Sequence, residues 1–211
     1  MEINGLHLVT APSVEPVTAA EVRLHTRIDL TTEDTLIETW IKSARQLAED
    51  FQRRAYINQV WEMTLDKFPA NIFELSRPPL QQVLQISYFD YLNVETILYY
   101  THLQDESTTS TTPEPDPSIG TDNFIIDTRT EPGRVSLAYG YSWPAVTLRM
   151  IDSVRIKYLA GYGGTGASVP ETIKDAIMLY CAYRYENRTA ESGNAPEQFY
   201  NLLNPGRIYQ P

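Results

Sequence analysis

Ser153-Val154-Arg155-Ile156-Lys157-Tyr158-Leu159-Ala160-Gly161-Tyr162-Gly163-Gly164-Thr165-Gly166-Ala167-Ser168-Val169-Pro170-Glu171 is the stretch whose reading decides the fold. An apolar, largely β-branched run, Val154, Ile156 and Tyr158, enters a glycine-rich loop, and Val169-Pro170-Glu171 opens a helical stretch that reaches Tyr185-Glu186-Asn187-Arg188. Gly161 to Gly166 spells GxGxxG, the dinucleotide-binding fingerprint, so a cofactor site and a plain joint between strand and helix compete for the same residues.

Three observations favour the joint. In a dinucleotide fold the helix begins within the glycine motif, and a carboxylate about 20 residues on ends a second strand. Here Ala167-Ser168-Val169 intervene before Pro170, which suits a first helical turn because its missing amide hydrogen would be unpaired anyway. Glu186 stands at the right distance but on the predicted helix, and only 45 residues follow Gly166, too few for the rest of such a domain. No Lys-Ser or Lys-Thr follows the glycines, which excludes a phosphate-binding Walker loop. The loop is therefore expected to hold no cofactor and to act as a flexible connector that lets two parts of the chain take different angles.

Outward from this joint, the N-terminal side opens with Pro16-Val17-Thr18-Ala19-Ala20-Glu21, where Thr18 and Glu21 form a capping box for a short helix to about Ile28, with Val22 and Leu24 turned inward. Thr32, or Thr31 with Asp34, caps the strongest helix. Leu36, Ile37, Trp40, Ile41, Ala44, Leu47, Ala48 and Phe51 recur at steps of three and four, one apolar stripe on a helix of about 23 residues. Glu33, Glu38, Lys42, Arg45, Glu49 and Arg53 fall largely off the stripe, on a wet face.

From Asn58 the period changes to two: Val60, Glu62, Thr64 and Asp66 alternate with Trp61, Met63, Leu65 and Lys67. Further strands are expected at 72–75, 83–91, 95–101, 123–127, 134–139 and 150–159, with Pro78-Pro79 as an extended connector, Asn93 near a turn and Pro132-Gly133 at another. Residues 104–121 are acidic and rich in Ser, Thr and Pro, and are expected to form an exposed, mobile loop. The fold class is thus α+β: a helical body (1–56) with an inserted antiparallel β-rich unit (57–160), then a glycine joint and C-terminal helix (161–190). A tail (191–211) ends the chain, its last residues too poor in apolar side chains to fold alone.

The chain carries a net charge of −10, which disfavours a grip on nucleic acid or acidic membranes. No apolar run approaches the roughly 20 residues of a membrane span, and no basic-plus-apolar signal follows Met1, so residence in the cytoplasm of synthesis is expected. The single Cys181 rules out an internal disulfide and is expected to be a buried, inert thiol. His7, His25 and His102 are far apart and show no metal-ligand spacing. Carboxylates such as Asp50, Asp152 and Asp175 have no spacing that singles them out.

The order of features then carries a resemblance. Pro16-Val17-Thr18-Ala19-Ala20-Glu21-Val22 precedes a short helix, a long helix reaches Ala44-Arg45, and Ala55-Tyr56-Ile57-Asn58-Gln59-Val60-Trp61 leads into strands. Ile156 to Gly163, Val169 to Ile177 and Tyr185-Glu186-Asn187-Arg188 complete the series, over about residues 15 to 190. This order resembles the head–tail connector (adaptor) family of tailed phages and prophages. The resemblance implies a structural virion protein without catalytic activity or cofactor, made in the host cytoplasm. Such a protein forms a ring, usually dodecameric, beneath the portal protein; the ring extends the DNA channel without sequence-specific contact and receives a tail-side stopper or tail-completion protein. On that reading Trp40, Arg45 and Glu49 of the long helix are expected at the subunit interface. Phe199, Tyr200, Leu202, Leu203, Arg207, Ile208 and Tyr209 are expected to order on docking to the portal. The acidic 104–121 loop departs from the family pattern as an insertion. Two other readings stay open: a host- or carbohydrate-binding β module, suggested by tyrosine-rich strands, and an enzyme whose site is assembled from distant residues.

Overall fold

A computed structural model of the chain describes residues 5–29, 31–101, 123–188 and 195–209. The 104–121 loop, His102 and nearly all of the 191–195 connection lie outside the described residues. The elements run β1 (Gly5–Thr10), α1 (Ala19–Thr26), α2 (Asp34–Gln52), β2 (Gln59–Leu65), β3 (Ile72–Glu74), β4 (Leu80–Phe89), β5 (Glu95–Tyr100), β6 (Phe124–Asp127), β7 (Arg134–Leu137), β8 (Val154–Ala160), α3 (Glu171–Glu186) and α4 (Glu197–Leu203). This is an α+β fold with antiparallel sheets. Two compact units result: one joins the chain up to Ala11 to Gln59–Ala160, the other joins Pro12–Asn58 to the chain from Gly161 onward.

In the β unit a five-stranded sheet has the order β1-β2-β8-β4-β5, and a three-stranded sheet the order β3-β7-β6. The last strand in sequence, β8, thus lies in the middle. Its Val154, Ile156, Tyr158 and Ala160 are all buried while the residues between them are half-buried, the period of two expected of a strand. Aromatic contacts link the two sheets: Tyr99 to Phe124 at 5.9 Å, and Phe68 both to Tyr88 at 5.5 Å and, stacked, to Trp143 at 5.0 Å. The strand β1 lies in the segment that sequence reading assigned to the helical body. It pairs along β2, with Leu6 opposite Met63 and Leu8 opposite Trp61, a register that only the partner strand specifies. On β2 the expected alternation is blurred, because Val60 and Thr64 are buried together with Met63 and Leu65. Several boundaries also move: β4 begins at Leu80 rather than at Val83, β7 ends at Leu137 rather than at Tyr139, and β8 begins at Val154 rather than at Met150. The Pro78-Pro79 link is cis rather than a straight extended connector.

In the helical unit, the Thr18–Glu21 capping box forms on both sides: the Glu21 amide donates to Thr18 Oγ1 at 3.2 Å and the Thr18 amide donates to Glu21 Oε2 at 2.6 Å. The helix α1 stops at Thr26 because Arg27 turns left-handed, and Leu24 points outward, 83% exposed. It stands two residues from the buried Val22, about 200° around the helix. The helix α2 is 19 residues long, shorter than the apolar stripe suggested, and Glu33 rather than a threonine occupies its cap position with no side-chain hydrogen bond. Ile37, Trp40, Ile41, Ala44 and Ala48 form its buried stripe; they pack with Ile173, Ile177 and Cys181 of α3 and with Phe199 and Leu203 of α4. Among the described residues no helix is long and apolar enough to cross a membrane.

Candidate assembly surfaces

The glycine loop is built by close backbone approach. Gly161 has φ +141°, and a Cβ there would lie 2.6 Å from the Ile57 carbonyl carbon; one on Gly166 would lie 2.5 Å from the Pro16 carbonyl oxygen. The Tyr162 amide donates to the Tyr56 carbonyl and the Asn58 amide to the Gly163 carbonyl, both at 2.9 Å. The expected flexible connector is therefore a tied loop, because segment 56–58 offers it hydrogen-bonding partners that the local sequence could not reveal. A 3-10 turn, Gly166–Ser168, and the N-cap Pro170 lead into α3.

The residues assigned to a subunit interface lie inside the helical unit. Trp40, Arg45 and Glu49 are all buried, so the wet-face reading of Arg45 and Glu49 is corrected. Arg45 donates through Nε to Glu15 Oε2 at 2.6 Å and through Nη1 to Glu49 Oε2 at 2.7 Å. Burial works against the Arg45 charge, but the hydrogen bond to Glu15 and the charges of Glu49 and Glu15 outweigh it and raise its pKa. The other oxygen of Glu49 accepts the Tyr56 amide at 2.9 Å, so the carboxylate clamps the turn after α2 onto the helix. Tyr56 in turn donates its hydroxyl to Gln52 Oε1 at 2.7 Å. Burial and the Glu49 charge push the Tyr56 phenol well above its ordinary value. Trp40 meets Tyr185 edge-on at 6.4 Å. The spacing of Arg45 and Glu49 at i,i+4 signals their pairing in sequence; Glu15, 30 positions away, gives no such signal. What α2 leaves outside is a polar face that includes Glu38, Lys42, Gln46 and Asp50.

The tail is likewise folded within the single chain. Phe199 and Leu203, four residues apart on α4, are fully buried in the helical core, while Tyr200 and Leu202 pack against its margin. Gln52 Nε2 donates to the Leu203 carbonyl at 2.5 Å, Arg54 Nε to the Gly206 carbonyl at 2.6 Å, and the Ile208 amide to the Gln52 carbonyl at 3.0 Å. The Arg207 guanidinium lies 4.7 Å over Phe51 and 5.3 Å over Tyr209. Through residue 209, the expected order-on-docking segment is therefore already ordered, because α2 supplies the apolar and polar partners that its composition lacks. Of the seven residues assigned to docking, Tyr209 alone is largely exposed, at 70%.

Among the described residues no group of three or more His, Cys, Asp or Glu side chains could hold a metal ion. Cys181 is buried and its thiol is pushed up to about 12 by burial, so the nucleophilic thiolate is scarce at neutral pH.

A chain in the neck of an empty gene transfer agent (GTA) particle computed with C6 symmetry superposes with a TM-score of 0.72 at 21% identity, covering 98% of this chain and 96% of that one. The chain shares that fold. A chain from the virion of a native gene transfer agent particle gives 0.73 at 20% identity over 97% and 96% of the two chains, and one from the native neck computed with C12 symmetry gives 0.71 at 19% over 98% and 96%. No family model matches the sequence, and no curated protein matches it. At such low identity, near-complete coverage in both directions means that helical and β-rich parts correspond together, in one chain order.

Proposed function

We propose that this chain is a structural virion protein, a head–tail connector of adaptor type. It forms a ring, a dodecamer, beneath the portal protein, extends the channel through which the genome passes, and receives a tail-side stopper or tail-completion protein. It performs no catalysis. The observation that carries this reading is the end-to-end likeness to chains from the neck and the virion of gene transfer agent particles, over 96% or more of both partners. The net charge of −10 supports it: a ring of acidic subunits repels the DNA backbone and lets it slide.

In the ring, α2 contributes through its exposed polar face, with Glu38 and Lys42, while Trp40, Arg45 and Glu49 hold that helix in place from within. The exposed part of the tail, Tyr209 with Arg207 and Ile208 beside it, is the portal-docking contact, and Phe199, Tyr200, Leu202 and Leu203 are its anchor in the subunit. Electron microscopy of the protein mixed with its purified portal tests the assignment. A second ring stacked on the portal is the expected image; protein that stays monomeric and unbound in the presence of excess portal would sink it.

A further inference from the structure

We draw no further inference here: the strongest candidate, the side-chain cluster at the β4–β5 turn end of the five-stranded sheet, where the guanidiniums of Arg149 and Arg155 lie 3.9 and 4.7 Å over Phe89 beside the exposed Tyr91, Leu92 and Met150, carries nothing, because both guanidiniums are held by that ring and nothing in the structure shows what covers the apolar side chains around it.

Discussion

Arg45 faces two carboxylates inside the helical unit, and truncating it would remove the guanidinium that donates both to Glu15 and to the nearly inaccessible Glu49. Replacing one member of such a buried pair costs about 3–5 kcal/mol. Arg45→Ala is therefore expected to lower the urea midpoint strongly. Glu15→Ala should cost clearly less, because the Glu15 side chain is 27% exposed and Arg45 keeps Glu49. Equal losses in the two variants would contradict the geometry. Cys181 gives a second residue-scale expectation. With its thiol near 12 instead of the usual 8.5 or so, ionisation alone should slow alkylation at pH 8 about a thousandfold relative to a free thiol. Iodoacetamide labelling that accelerates only as urea unfolds the chain would show this; rapid labelling of the native protein would refute the burial.

At the scale of elements, α1 depends on its cap. Backbone and side-chain hydrogen bonds from Thr18 hold the Glu21 carboxyl below its ordinary value near 4.5. A depressed folded-state pKa means that the stabilisation is present above about 4.5 and is lost as pH falls through the lower, folded value. Thr18→Ala should cost about 1 kcal/mol near neutrality, and the gap from the unmodified chain should shrink below pH 4 or so in urea titrations run at a series of pH values. The short α4 depends on burial instead. Phe199→Ala removes a fully buried ring from among Tyr180, Tyr200 and the helical core, a change that costs about 3–5 kcal/mol. It should also free the segment from 204 on, read as new protease sensitivity there. Undiminished protection of that segment would show that the tail is held by its polar contacts alone.

At the scale of the whole molecule, the α+β class, the long amphipathic helix and most strands were legible in local pattern, because burial on one face imposes a period that a single stretch of sequence displays. The capping box was legible for the same reason: its two partners are three residues apart. The membership of β1 was not, since Gly5–Thr10 becomes a strand through pairing with residues Val60 to Thr64, far along the chain. Nor was the burial of Arg45, whose partner Glu15 comes from the chain before α1, nor the order of the tail, whose partners Gln52 and Arg54 lie at the last residue of α2 and just beyond it.

Ser153–Arg188 shows the same division. Spacing alone argued against a dinucleotide turn there, because three residues separate the last glycine from the proline that opens the helix. Composition and spacing placed a strand before the glycines and a helix after Pro170, since β-branched alternation and a proline start act over neighbouring residues. Only the tertiary structure decided what the glycines are for. Gly161 and Gly166 lie against the backbones of Ile57 and Pro16, and whether a side chain would fit depends on segments distant in sequence, which no local pattern encodes.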